Sequence, residues 1–166
     1  ATRRIRPGTK LGAGKAIDRL GDWPGKVDSA DPRRVLDRLT ADLDAFVKTE
    51  SIDHLIVLNV ASTEPPFGAS PAHERWSALE AALESGRPDV LPASSLYALA
   101  ALRGGHTYLN FTPSLGASIG AIHEVAATRG ALYGGKDGKT GETLMKTVLA
   151  PMFAHRNLRV MSWVGH

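Results

Sequence analysis

The chain has 166 residues, of which 43% are hydrophobic and 22% charged, the balance of a folded globular domain rather than a disordered one. It contains no cysteine, which excludes disulfides, zinc–thiolate sites, iron–sulfur clusters and thiol nucleophiles. The net charge of +3 comes from the start of the chain, where Arg3, Arg4, Arg6, Lys10 and Lys15 meet no acid. This segment carries no aromatic residue that could stack on bases, and reads as a solvated lead-in rather than a nucleic-acid arm. No apolar run nears the ~18 residues of a membrane helix and no secretory pattern is visible, so neither membrane nor nucleic acid is expected as a partner and the cytoplasm is the expected compartment. The first residue is Ala1 rather than Met, and the chain stops just after an apolar stretch, which suggests a processed or incomplete chain.

Residues 1–30 are rich in Gly, Pro and charge without a clear period, and are expected to be irregular. Asp31-Pro32 then opens a helix, because Asp caps free N–H groups and Pro suits the first turn. Leu36, Leu39, Leu43, Phe46 and Val47 follow at helical spacing. The apolar run from Leu55 to Val60 predicts a strand buried on both faces. A Pro-rich loop leads to a helix near residues 72–85, with Trp76, Leu79 and Leu83 on one face. After Val90-Leu91, a Ser-capped helix is predicted from Ser94 to Leu102. A strand at 106–111, a helix at 117–129, a short strand at 131–133, a helix at 140–155 and a closing strand at 158–164 complete the pattern. Strands alternating with helices indicate an α/β fold built on a parallel sheet.

Familiar motifs fail on spacing. Gly12-Ala13-Gly14 lacks the third glycine of a dinucleotide fingerprint, since Ile17 stands there. Gly138-Lys139-Thr140 resembles the tail of a phosphate-binding loop, but Tyr133 occupies the place of its first glycine. The histidines stand singly, there is no Gly-x-Ser-x-Gly elbow, and no metal site is expected.

Polar segments at strand ends attract attention, because ligands of open α/β sheets bind beyond the carboxyl ends of strands. The first runs from Asn59 through Val60, Ala61, Ser62 and Thr63 to Glu64. The second is Asn110-Phe111-Thr112-Pro113-Ser114. The Asn, Ser and Thr residues of both also suit plain turns and helix caps. The third, Gly134 to Glu142, places four glycines and two lysines ahead of a helix, an arrangement suited to a phosphate. On that helix Lys139, Thr143 and Lys146 share one face, opposite Leu144, Val148 and Met152. One reading is a core-facing apolar side and a ligand-facing polar side; on periodicity alone an ordinary solvated lysine face is favoured.

Read together, the segments Asn59–Pro65, Asn110–Ser114 and Gly135–Leu144, with the continuation Lys146–Phe153, resemble the myo-inositol-1-phosphate synthase family in its bacterial and archaeal form. The likeness runs from about Asp53 to Trp163. It implies a Rossmann-like parallel sheet with flanking helices, leading into an α+β catalytic and tetramerisation domain. On that basis residues 31–115 are expected to form the second half of an NAD-binding domain, and 116–166 the start of the catalytic and oligomerisation domain.

The resemblance further implies an isomerase that converts glucose 6-phosphate to inositol phosphate with tightly held NAD, for inositol and phospholipid biosynthesis. In that chemistry the cofactor oxidises C5, the ketone acidifies C6, the enolate closes on the C1 aldehyde, and NADH reduces the ring ketone. Lys139 and Lys146 would be the catalytic lysines. Asn59, Ser62, Thr63, Ser94, Ser95, Asn110 and Asp137 would line the NAD cleft. Thr112, Ser114, Lys136, Gly138, Thr140 and Thr143 would meet the substrate. The family's glycine-rich loop has no counterpart here, so the chain reads as the middle of a synthase, a homotetramer when whole and inactive as this piece. The alternative is a truncated homologue that binds a sugar phosphate or nucleotide without catalysis.

Overall fold

The computed structural model describes residues 31–138 and 143–163. The expected lead-in at 1–30 lies outside them. Helix α1 (Pro32–Glu50) starts as its sequence dictates: Asp31 Oδ1 accepts the N–H groups of Arg33 and Arg34 at 2.9 and 3.4 Å. It buries Val35, Leu36 and Leu39 against the rest of the core, with Leu43 at the margin, whereas Phe46 is exposed. Strand β1 (Ile56–Asn59) follows, then a 3-10 turn (Pro71–His73) and helix α2 (Trp76–Glu84). Helix α3 (Ala93–Arg103), strand β2 (Thr107–Asn110), helix α4 (Gly120–Arg129), strand β3 (Tyr133–Gly134) and helix α5 (Thr143–His155) complete the order.

The three strands form one parallel sheet in the order β1-β2-β3. Val57 is level with Tyr108 and Asn59 with Asn110, while Tyr108 is level with Tyr133. Helices fill the crossovers, α2 and α3 between β1 and β2, and α4 between β2 and β3. Helix α3 is the centre of the packing. It lies against α1, α4 and the sheet, and most of its residues from Ser94 to Leu102 are buried. A helix enclosed in this way needs no polar face, which is why its sequence lacks a clear amphipathic stripe. Ile119, Ala121, Ile122 and Val125 of the α4 region join the same core.

Several expectations are corrected. Strand β1 is not buried on both faces: Ile56 and Leu58 are 57% and 50% exposed, on the face opposite α3. Val60, Phe111 and Leu132 are exposed as well. A continuous apolar run signals two covered faces, but the described helices cover only the Tyr108 side. Helix α3 is preceded by Pro92 as its cap residue, not by a serine. Residues 158–163 form no strand: among the described residues no strand lies beside them to share a ladder of hydrogen bonds. On α5 the apolar positions Leu144, Val148 and Met152 are exposed rather than core-facing. No helix among the described residues is long and apolar enough to cross a membrane.

Helix α2 is fastened from a distance. Glu124 on α4 accepts the Trp76 N–H at 2.8 Å and a hydrogen bond from the Arg75 guanidinium at 2.9 Å. The backbone bond first, and then Arg75, hold the Glu124 carboxyl below the usual glutamate range. The folded-state pKa is depressed, so this contribution is present above the ordinary value of about 4.3 and lost as pH falls through the lowered one. NMR titration of the Glu124 carboxyl is expected to give a midpoint below that of an exposed glutamate, returning to normal in Arg75→Ala only in part. A midpoint at the ordinary value would mean that Glu124 does not hold α2.

Candidate functional site

The carboxyl ends of the strands gather the polar segments. Asn59 and Asn110 end β1 and β2 side by side, and Asn59 Nδ2 donates to Asn110 Oδ1 at 3.0 Å. The same Asn110 oxygen accepts the Thr112 N–H at 3.1 Å and the Thr112 hydroxyl at 2.8 Å. Asn110 Nδ2 donates to the Ser114 carbonyl at 2.8 Å, and the Ser114 N–H donates to Thr112 Oγ1 at 3.2 Å. Asn110, Thr112 and Ser114 are all buried. Their side chains turn inward and shape the loop after β2, as buried polar groups with satisfied hydrogen bonds do.

Tyr108 lies one layer below, fully buried, with its hydroxyl donating to the Ser94 carbonyl at 3.1 Å. Burial raises its pKa well above the ordinary tyrosine value, against a lowering by the Asn59 side chain, so it remains a neutral donor. Ser94 is buried at the start of α3, where its N–H and hydroxyl both donate to the Glu64 carboxylate. Ser95 is buried beside it, and its hydroxyl oxygen is the buried side-chain atom without a hydrogen-bond partner among the described residues.

The third segment, as far as Gly138, runs against the second. Gly135 has a φ of +77°, and a Cβ there would overlap the Asn110 carbonyl oxygen. Only glycine combines that conformation with so close an approach. The Gly138 N–H then donates to the Phe111 carbonyl at 3.1 Å, so the chain after β3 runs alongside the chain after β2. Lys136 and Asp137 lie exposed between these two anchors. Ser62 and Thr63 are exposed in the loop after β1. Lys146 is half-buried in the first turn of α5. Lys139 and Thr140 lie outside the described residues, and of Thr143 only its place in α5 is described.

The residues singled out from sequence thus divide. Asn59, Ser94, Asn110, Thr112, Ser114 and Gly138 come together as a scaffold, Ser95 is buried beside it, and Ser62, Thr63, Lys136 and Asp137 are exposed around it. Tyr108 is part of the assembly without having been singled out, and Glu64, which lies in the first motif segment, had been given no role there. The Glu64–Ser94 pair spans 30 positions, and no local spacing signals it.

The sequence model of the myo-inositol-1-phosphate synthase NAD-binding region matches residues 21–155. The chain belongs to the myo-inositol-1-phosphate synthase family. It is 35% identical over 129 residues to inositol-3-phosphate synthase 1 of Bacteroides thetaiotaomicron, covering 78% of this chain and 30% of that protein. It is 29% identical over 150 residues to inositol-3-phosphate synthase of Spirodela polyrhiza, covering 88% and 28% respectively. The fold also matches the crystal structure of inositol-3-phosphate synthase from Caenorhabditis elegans, with a TM-score of 0.74 at 19% identity over 92% of this chain and 30% of that one. The chain therefore spans about 30% of the length of the relatives it matches.

Proposed function

We propose that this chain supplies one wall of the NAD cleft, and the entry to the sugar-phosphate site, of an inositol-3-phosphate synthase acting on glucose 6-phosphate. The observation that carries the reading is that the three motif segments begin at the carboxyl ends of adjacent parallel strands, the first two joined by the Asn59–Asn110–Thr112 cluster and the third held to the second by the Gly138–Phe111 bond. That is where an open α/β sheet receives a dinucleotide.

The residues present fit such a ligand. Ser62 and Thr63 offer hydroxyls and backbone N–H groups on the exposed loop after β1, and Lys136 and Asp137 offer charge after β3. NAD, when bound, supplies the hydride acceptor and donor. The chain's own part is to hold that ligand against the strand ends and to exclude solvent from one side. Lys146 supplies a cation for developing oxyanion charge, together with Lys139. The test is production of inositol phosphate from glucose 6-phosphate and NAD by the whole protein that carries this segment. Failure to bind NAD would overturn the cleft.

Lys146→Ala in that protein is expected to lower kcat by about 100-fold or more while leaving the circular dichroism melt unchanged. Turnover retained within about tenfold would remove Lys146 from the chemistry.

A further inference from the structure

Helix α3 begins after Pro92, which has no side-chain oxygen to offer the helix's free N–H groups. Glu64, 30 positions before Ser94, fills that place. One carboxylate oxygen accepts the Ser94 N–H at 2.8 Å and the other accepts the Ser94 hydroxyl. The Ser94 oxygen in turn accepts the Gly116 N–H at 3.1 Å. Glu64 is tied a second time through its own N–H, which donates to Ser114 Oγ at 2.9 Å. Its side chain is thus seated on α3 and its backbone on the loop after β2.

At the other end of the same loop, Asn59 Oδ1 accepts the Ala61 N–H at 3.2 Å. Between these two fastenings Val60, Ala61, Ser62 and Thr63 are exposed, and Pro65-Pro66 beyond Glu64 has no N–H to anchor it. The anchoring is charge-assisted, since a carboxylate at a helix N-terminus meets both N–H donors and the positive end of the dipole.

We infer that Glu64 is a positioning residue: its carboxylate, latched onto the N-terminus of α3, sets the 60–63 loop so that Ser62 and Thr63 are held where the dinucleotide binds. The role rests on the reading of this site as an NAD cleft. The latch itself is independent of it. An amide at this position keeps the shape but loses the charge, and forces the Ser94 hydroxyl to change its role.

The test compares wild type, Glu64→Ala, Glu64→Gln and Ser114→Ala in the whole protein, by hydrogen–deuterium exchange over residues 60–64 and by calorimetric titration with NAD. Glu64→Ala is expected to speed exchange in the loop by about 100-fold while the α3 core stays protected. It is expected to weaken NAD binding by about tenfold or more, with Glu64→Gln intermediate and Ser114→Ala smaller in the same direction. Unchanged loop exchange in Glu64→Ala overturns the latch. Faster exchange with an unchanged NAD Kd overturns the positioning role and leaves the cleft standing. Wild type that binds no NAD overturns the cleft and the role together, and the exchange data then decide the latch alone. If Glu64→Ala does not fold, Glu64→Gln and Ser114→Ala decide between the same outcomes.

Discussion

Asn110→Ala is expected to lower the local stability of β2 by about 4 kcal/mol, the largest effect of any single side chain at the strand ends. Asn110 is 2% exposed, and one oxygen serves three donors from Asn59 and Thr112. Its amide nitrogen serves the Ser114 carbonyl. Truncation leaves the Thr112 N–H and the Ser114 carbonyl without these partners inside the protein, and each buried unsatisfied group costs about 1–3 kcal/mol. Asn110→Asp gives little relief, because it turns the donor facing Ser114 into an acceptor and buries a charge. Native-state hydrogen exchange at the β2 amides in the whole protein measures the effect. A loss of under about 1 kcal/mol would show that the cluster is not what fixes the loop.

Gly135→Ala is expected to be nearly as severe, at about 3 kcal/mol, for a different reason. The position combines a positive φ with a Cβ site already taken by the Asn110 carbonyl oxygen. The added methyl group meets backbone, which cannot rotate aside as a side chain can. The segment after β3 must then lift away from β2, breaking the 3.1 Å bond from the Gly138 N–H to the Phe111 carbonyl. Gly86→Ala is the matched control. Its φ is +69°, but nothing lies within 4 Å of its Cβ site, so strain alone of about 1 kcal/mol is expected there. Exchange of the Gly138 amide reads the difference, and a Gly135→Ala variant as mild as Gly86→Ala would remove the close approach as a structural constraint.

Both substitutions act on residues that were conspicuous in sequence, but for reasons the sequence does not display. Asn110, Thr112 and Ser114 drew attention as polar groups after a strand, and the residue chemistry suited ligand contact and turn formation alike. The structure buries them and engages their side chains with one another. In the proposed cleft they support the wall, and the accessible polar groups are Ser62, Thr63, Lys136 and Asp137.

Helix starts show the same division. The α1 cap was legible because Asp31 and its partners Arg33 and Arg34 are neighbours in the chain. The capping groups of α2 and α3 were not, because the acceptors Glu124 and Glu64 lie 48 and 30 positions from Trp76 and Ser94. Spacing rules for caps see only three or four residues.

Element order as far as α5, the parallel α/β class and the positions of the motifs were legible from one chain, because periodicity, caps and strand-end polarity are local properties of the residues. Folding decided the rest. Which face of β1 is covered depends on where α3 packs, and the apolar run from Leu55 to Val60 carries no record of that. The burial of Asn110, the remote seats of Glu64 and Glu124, and the contact of Gly135 with β2 each join parts of the chain distant in sequence. Such pairings exist only once the crossovers have brought the strands into register, since no property of either partner alone specifies the other.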